Sequence, residues 1–147
     1  MRDSTYEDDL NVEILSDSLC GKVIDVVVSG SIGAVESVKF IRSLRRLGAT
    51  VNPWLTRGGS QFTTPLALEW AANQKVVESF SGLVSHTAVG DAVVIAPASA
   101  NFISKMAHGQ TDCAASAMVS AALGQRKPVF LVPNMHESMA ASPFVRH

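Results

Sequence analysis

The segment Asp91-Ala-Val-Val-Ile-Ala-Pro-Ala-Ser-Ala-Asn101 decides the fold. Its five apolar residues, 92–96, form an unbroken run, which is typical of a strand buried on both faces in a parallel sheet. Pro97 is expected to end this strand because proline cannot donate a hydrogen bond to the ladder. Ser99 and Asn101 then follow the carboxyl end of the strand, where open α/β sheets bind ligands. An ordinary strand-to-helix turn with Asn101 as the helix cap explains the spacing equally well.

Composition limits the classes of protein to which the chain can belong. The 147 residues are 47% apolar with a formal net charge of −1, whereas a nucleic-acid binder is expected to be basic. No apolar run approaches the ~20 residues of a membrane span, and the acidic N-terminus does not resemble a signal peptide. Two cysteines without Cys-x-x-Cys spacing indicate neither a disulfide framework nor a metal site. We therefore expect one compact cytoplasmic domain that binds neither nucleic acid, membrane nor metal.

The first 21 residues differ from the rest of the chain. They are polar and acidic, and Glu7-Asp8-Asp9 is their densest cluster. We interpret residues 1–21 as an arm outside the core, either mobile or folded as a short surface helix. The domain itself is expected over residues 22–147.

The first strand of that domain is predicted over residues 23–28, which are strongly β-branched. It leads into the turn Ser29-Gly-Ser-Ile-Gly33 and a helix over 34–47, with Gly48 as its C-cap. This order of strand, glycine-bearing turn and helix is the layout of a phosphate or nucleotide loop. A merely tight turn is as good an explanation, since Gly30-x-x-Gly33 is neither a dinucleotide fingerprint nor a P-loop.

The second strand is predicted over residues 50–56, and Pro53 indicates an edge or an irregular place in it. Hydroxyls, glycines and one arginine fill the following run, 57–64, which could hold a phosphate or could be a solvated loop. Pro65 suits the first position of a helix that reaches about residue 73. The apolar face of this helix is expected to consist of Leu66, Leu68, Trp70 and Ala71.

The last third of the chain repeats the strand-then-polar pattern. A small-residue helix is predicted after the Asn101 helix, over 111–123, and the next strand over 127–132. That strand also ends at a proline and a polar cluster, Pro133-Asn-Met-His-Glu-Ser-Met139. Because strand ends in a doubly wound sheet can be neighbours, we expect Ser99, Asn101 and segment 134–139 to converge on one site.

These motifs together resemble the homo-oligomeric flavin-containing cysteine decarboxylases, above all the branch that acts on phosphopantothenoylcysteine. The resemblance rests on Ala96-Pro-Ala-Ser-Ala-Asn101, Lys105-Met-Ala-His-Gly109 and Pro133-Asn-Met-His-Glu-Ser-Met139. It extends from about residue 22 to the end of the chain. It implies a flavodoxin-like (Rossmann-like) three-layer sandwich with a parallel sheet, and assembly as a trimer or as four trimers, with FMN at a contact between subunits.

The resemblance also implies roles for individual residues. His86 matches the catalytic histidine, and Asn134 and His136 lie in the motif that grips the substrate. The cofactor FMN would be bound by Gly30, Ser31, Ile32, Thr56, Phe62, Ala98, Ser99, Asn101 and Met135. Thr56 would hold its phosphate, and Phe62 would pack near its ring.

The implied reaction is decarboxylation of a cysteine-ended substrate, 4′-phosphopantothenoylcysteine in coenzyme A synthesis or the C-terminal cysteine of a peptide. A C-terminal cysteine cannot lose its carboxylate directly, because the resulting carbanion is not delocalised. Oxidation of the CH₂–SH unit to a thioaldehyde provides the electron sink, after which CO₂ leaves to give an enethiol. The cofactor supplies the redox power and the protein supplies position and proton transfer. His86 suits proton transfer near neutral pH.

Several positions depart from the family pattern. His136 stands where many relatives carry asparagine, and Asn134 replaces a small residue. Decarboxylating relatives continue past the position of His147 into a substrate-covering loop with a cysteine, which Cys20 and Cys113 match in neither place nor context. We therefore expect either a piece of a longer, bifunctional protein or a domain that performs only the oxidative half of the reaction.

Two other functions remain open at this point. One is a different flavoprotein of the same fold, such as a flavin prenyltransferase or an electron-transfer protein. Prenyltransferase relatives lack the motif at residues 133–139, which counts against that version. The other is a non-enzymatic binding protein that uses the fold as a partner surface.

Overall fold

The sheet of the molecule is four-stranded and entirely parallel. A computed structural model describes residues 9–82 and 89–146. The strands lie in the order β2-β1-β3-β4. Their bounds are β1 Val23–Val28, β2 Thr50–Leu55, β3 Ala92–Ala98 and β4 Val129–Pro133. This is the strand order of flavodoxin-like sheets, in which the order reverses between β1 and β3.

Helices cover both faces of the sheet. The α-helices are α1 Ser37–Arg46, α2 Pro65–Ala72, α3 Ala100–Ala107, α4 Ala114–Gly124, α5 Glu137–Ala140 and α6 Pro143–Arg146. Short 3₁₀ turns at Ile32–Glu36 and Gly59–Gln61 precede α1 and α2.

Two separate apolar cores confirm the predicted three layers. On one face, Val26 packs with Ile41 of α1 and Leu68 of α2. On the other face, Val27 packs with Phe102 of α3 and with Met118 of α4. The alternation of neighbouring β1 residues between the two cores follows from the two-residue period of a strand.

The predicted strands are all present, although β3 is longer than expected. Pro97 does not end the strand, so that expectation is wrong: β3 continues to Ala98, which pairs with Pro133 of β4 after a register shift beyond Ile95. The Pro97 carbonyl still accepts a hydrogen bond, from the Ser29 amide at 3.3 Å. Proline removes only a donor, and at this strand end the ladder uses the carbonyl instead. Pro53 lies in β2, which is an edge strand, as predicted.

The helix after β3 begins earlier than the sequence indicated. Ser99 is its N-cap, because its backbone is extended and its hydroxyl accepts from the Phe102 amide at 3.2 Å. Asn101 lies inside the first turn, so the alternative that made it the cap is wrong. Gly109 follows the helix with φ +66°, a conformation typical of the residue after a helix C-terminus.

Helix α2 buries only part of the predicted face. Leu68 and Ala71 are buried, but Leu66 is 76% exposed. The helix is apolar almost all round, so periodicity could not identify its buried side. Trp70 is partly exposed, and its ring lies 4.3 Å from the Arg42 guanidinium of α1.

The segment before β1 lies along α1. The Leu15 amide donates to the Arg46 carbonyl and the Leu19 amide to the Leu47 carbonyl, both at 2.8 Å. The Arg45 guanidinium donates to the Leu10 carbonyl at 2.8 Å. Burial, and secondarily the charge of Arg42, lowers the pKa of Arg45 from its ordinary value. The described part of the arm is therefore fastened to the domain, while the boundary at residue 21 stays a prediction.

Among residues 9–82 and 89–146, no helix combines the length and the apolar character needed to cross a membrane.

Candidate functional site

The loops that follow all four strands meet at the carboxyl edge of the sheet. They line two adjoining cavities, of about 340 Å³ and about 520 Å³. Gly30, Ser99 and Asn101 line both cavities, so the two form one site with two lobes. A larger hollow, of about 870 Å³, lies beside α2 and contains none of the predicted site residues.

We call the smaller cavity the cationic lobe, because Arg57 and Lys105 line it. The Lys105 Nζ lies 3.1 Å from the Asp112 Oδ2. Arg57 is exposed, and its guanidinium forms no ion pair or hydrogen bond with any described residue. The N-caps of α3 and α4, Ser99 and Cys113, border the same lobe, and helix N-termini favour anions. The lobe is therefore suited to an anion such as a phosphate.

A close crossing of two backbones shapes the wall of this lobe. A Cβ on Gly30 would lie 2.9 Å from the Cα of Gly58, so only glycine allows the loops after β1 and β2 to touch. The Thr56 hydroxyl braces the second loop, since it accepts from the Gly59 amide at 3.0 Å and donates to the Val28 carbonyl at 3.3 Å.

Ser29 joins the ends of the two central strands. Its hydroxyl is buried, donates to the Pro97 carbonyl and accepts from the Ser99 amide at 2.9 Å. Ser29 was not among the predicted site residues, although it lies in the glycine-bearing turn that the sequence singled out. The sequence feature that could have identified Ser29 is its position directly after a buried strand.

We call the larger cavity the methionine lobe, because Met135 and Met139 line it together with Asn134 and His136. The predicted convergence of Ser99 and Asn101 with segment 134–139 is thus confirmed. Ser31 and Ile32 line the same lobe, and the Ile32 side chain is 66% exposed.

Two polar side chains of the second motif, those of Asn134 and His136, already form hydrogen bonds within the protein. The Asn134 Oδ1 accepts from the Ser31 hydroxyl at 2.9 Å and from the Gly33 amide at 3.1 Å. The His136 Nδ1 accepts from the Ser138 amide at 3.2 Å, which caps α5. Because a backbone amide can only donate, a neutral His136 carries its proton on Nε2.

Two predicted site residues lie elsewhere, and a third falls outside the described residues. Ala98 is fully buried in β3, and only its carbonyl takes part, as acceptor for the Asn134 amide at 3.1 Å. Phe62 is 39% exposed and lines neither lobe. His86 lies outside the described residues. The roles that the resemblance implies for all three stay predictions.

A buried carboxylate fixes the chain just before β3. Asp25 accepts from the Gly90 amide at 2.7 Å and from the Trp54 indole at 3.0 Å. The Asp91 amide donates to the Val23 carbonyl at 2.7 Å. Gly90 is therefore held at the amino edge of the sheet, opposite the two lobes.

In the part of the chain that the structure describes, no three His, Cys, Asp or Glu side chains gather as metal ligands would.

Arg57 and Lys105 are the residues that sequence reasoning left without a role. Only the fold brings their loops to one cavity, although the run 57–64 and the segment 105–109 were each noted.

Comparison with known proteins places the chain in a family. The model of the flavoprotein family matches residues 13–147. The bifunctional coenzyme A biosynthesis protein CoaBC of Thermococcus kodakarensis is 35% identical over 138 residues, which cover 89% of this chain and 34% of that protein. The chain thus spans about a third of the length of the bifunctional relatives it matches.

Two shorter relatives are similar over most of their own length. A probable phosphopantothenoylcysteine decarboxylase of Streptococcus mutans is 32% identical over 133 residues, 85% of this chain and 74% of that protein. The crystal structure of the FMN-dependent cysteine decarboxylase TvaF from thioviridamide biosynthesis superposes with a TM-score of 0.78 at 30% identity, covering 86% and 81% of the two chains. These findings confirm the resemblance drawn from the motifs and the flavodoxin-like fold: the chain belongs to the flavoprotein family, among the relatives of the flavin-containing cysteine decarboxylases.

Proposed function

We propose that the chain binds FMN and takes part in the decarboxylation of a substrate that ends in cysteine, with 4′-phosphopantothenoylcysteine as the first candidate. The observation that carries the proposal is the two-lobed cavity at the carboxyl edge, cationic at one end and lined by the methionine motif at the other. The cavity lies where strand order reverses, between β1 and β3. This is the ligand-binding position of flavodoxin-like sheets.

The residues of the site fit the chemistry of FMN. Arg57 and Lys105 can neutralise a phosphate in the cationic lobe. The Thr56 hydroxyl can also turn to a phosphate, since its present bond to the Val28 carbonyl is long, at 3.3 Å. Ile32 and Met135 offer apolar surface to a flavin ring in the methionine lobe.

When bound, FMN would supply the two-electron oxidation that turns the CH₂–SH unit into C=S. The C=S group can then accept the electron pair of the bond between Cα and the carboxylate as that bond breaks, so CO₂ leaves and, after protonation of the sulfur, an enethiol remains. Asn134 and His136 each present N–H groups on the methionine lobe, and N–H donors hold a carboxylate in place. His86 is the residue that we assign to proton transfer, from the sequence.

A peptide with a C-terminal cysteine is the second candidate substrate. The similarity to TvaF, an FMN-dependent cysteine decarboxylase from thioviridamide biosynthesis that matches over most of its length, supports a cysteine substrate other than the coenzyme A precursor. The bifunctional relatives favour the coenzyme A precursor. The two substrates share the cysteine carboxyl end and differ in what precedes it.

The test is anaerobic mixing of the FMN-loaded protein with each substrate, followed by flavin absorbance and product mass. We expect bleaching of the flavin and a product that has lost CO₂. His86→Asn should keep the yellow colour but lose the bleaching, because the shape of the site survives and proton transfer does not. A protein that binds no flavin, or that releases CO₂ from neither substrate, would contradict the proposal.

We also propose that the chain works as a homo-oligomer in the cytoplasm. Large apolar side chains are exposed on β4 and on the helices around it: Leu123, Phe130, Leu131, Val132 and Phe144. The resemblance drawn from the sequence implies a cofactor at a contact between subunits, which favours a cavity completed by the histidine of a neighbouring copy.

Co-expression of two defective variants tests this sharing of the site. His86→Asn subunits keep an intact cavity, and Asn101→Ala subunits, assayed at limiting FMN, keep an intact histidine. If the histidine of one subunit serves the cavity of the next, mixed oligomers should regain part of the activity that each variant lacks alone. Activity no higher than in either pure variant would place each site within one chain.

A further inference from the structure

Lys105 and Asp112 form an ion pair at the edge of the cationic lobe. The Lys105 Nζ donates a hydrogen bond to the Asp112 Oδ2, 3.1 Å away. Lys105 lies in the last turn of α3 and lines the lobe, whereas Asp112 lies between α3 and α4 and is not part of the lining. The lysine side chain is 25% exposed and the aspartate side chain 58%. The pair therefore connects a cation of the lobe to a carboxylate nearer the solvent.

The helix that follows Asp112 favours a negative charge at the same place. Cys113 is the N-cap of α4, an 11-residue helix, so Asp112 directly precedes the positive end of the helix dipole. That helix end also borders the cationic lobe, through Cys113. Asp112 thus interacts with two of the positive features that suit the lobe to a phosphate, the Lys105 ammonium and the N-terminus of α4. A carboxylate of the chain itself already draws on the charge that a bound phosphate would use.

This arrangement weakens the binding of a second anion. The Lys105 ammonium has three N–H donors, of which Asp112 takes one. A phosphate that binds Lys105 through the other two would lie close to the Asp112 carboxylate, and like charges repel each other. Binding then includes either this repulsion or the cost of moving Asp112 away from Lys105 into solvent. Both contributions make the affinity for phosphate lower than the two cations alone would give.

We infer that Asp112, acting through Lys105, lowers the affinity of the site for the phosphate of its cofactor. The ion pair holds the carboxylate beside the lobe as an opposing charge, so Asp112 sets how strongly the site prefers a flavin with a phosphate to a flavin without one. The inference rests on the proposed function and deepens it, because it assigns this preference to a residue that lines neither lobe.

Replacing Asp112 by asparagine removes the charge and nearly preserves the shape of the side chain. We expect Asp112→Asn to bind FMN about two- to fivefold more tightly at low ionic strength, which is the range of an exposed ion pair. Its affinity for riboflavin should not change, because riboflavin lacks the phosphate. Asp112→Glu keeps the charge and should bind FMN as the wild type does. Fluorescence titration of the FMN-free protein with each flavin measures these affinities.

Two further readouts separate this charge effect from a change of shape. Salt screens exposed charges, so the advantage of Asp112→Asn over wild type should shrink in ~1 M KCl, where the Debye length is about 3 Å. In a Lys105→Ala background the same substitution should bring a smaller gain, because the carboxylate is no longer held beside the lobe. Glu36→Gln is the matched control, since it breaks another exposed ion pair, Glu36–Lys39, outside both lobes. It should leave both flavin affinities unchanged.

The outcomes distinguish the inference from the proposed function. A wild-type protein that binds no FMN overturns the proposed function and the inference with it. A wild-type protein that binds FMN, with an Asp112→Asn variant of unchanged or lower FMN affinity, overturns the inference alone. An equal gain for FMN and riboflavin, an equal gain with and without Lys105, or the same gain in Glu36→Gln also overturns it.

Discussion

Replacing Ser29 by alanine tests how the carboxyl ends of β1 and β3 are held together. The buried Ser29 hydroxyl donates to the Pro97 carbonyl and accepts from the Ser99 amide at 2.9 Å. In Ser29→Ala the Ser99 N–H is left buried without its partner, which costs about 1–3 kcal/mol. The Pro97 carbonyl loses less, because it still accepts from the backbone amide of residue 29 at 3.3 Å. We expect the free energy of unfolding to fall by about 2 kcal/mol, a large part of the ~5–15 kcal/mol that stabilises a domain.

Urea unfolding of the FMN-free protein, followed by tryptophan fluorescence, measures this loss. Ser60→Ala is the matched control, because Ser60 is exposed and its hydroxyl donates only to the nearby Arg57 carbonyl, at 2.6 Å. The control should stay within about 0.5 kcal/mol of wild type. Ser29→Ala should also weaken FMN binding, since Ser99 lines both lobes. Equal urea midpoints for the two variants would refute the view that this hydroxyl stabilises the junction of the strands.

Two further predictions concern FMN itself. Gly30→Ala should weaken FMN binding at least about tenfold, because its Cβ would lie 2.9 Å from the Gly58 backbone and force the two loops apart, at the ~1–3 kcal/mol typical of overpacking. Fluorescence titration measures this affinity, and an unchanged value would show that the crossing is not needed. Arg57→Ala should weaken FMN by about tenfold and riboflavin hardly at all, because riboflavin lacks the phosphate. Equal losses for the two flavins would place the phosphate outside the cationic lobe, and Lys105→Ala should have the smaller effect of the two cation variants.

Most of the sheet could be predicted from the sequence, because β-branched and apolar runs identify buried strands directly. The errors lie where two local rules compete. Pro97 looked like a strand end, but β3 uses its carbonyl and continues. Asn101 looked like a helix cap, but Ser99 has the extended backbone that a cap requires. Leu66 was predicted to be buried but is exposed. A helix that is apolar almost all round gives no information about which side faces the sheet.

The position of the candidate site could be predicted from the sequence, but the contacts between the loops that form it could not. The rule that ligands bind beyond the carboxyl ends of parallel strands predicted that Ser99, Asn101 and the second motif converge, and they line one cavity. Contacts between loops could not be predicted, because they depend on which strands are neighbours. The bond from Ser31 to Asn134 spans 103 residues of sequence. The Gly30–Gly58 crossing likewise joins loops of strands that only the sheet order brings together.

The two cations of the cationic lobe are not equivalent, and we expect this difference to decide which of them binds a phosphate more strongly. The Lys105 ammonium already has a carboxylate 3.1 Å away, on Asp112, so an anion in the lobe must compete with that pair. Arg57 has no such partner among the described residues and keeps five N–H donors in a planar fork that matches phosphate oxygens. The partial positive charges at the N-termini of α3 and α4 add a fixed background that neither variant removes. Because the charge of Lys105 is already partly neutralised by Asp112, we expect Arg57 to contribute most of the electrostatic stabilisation of a bound phosphate.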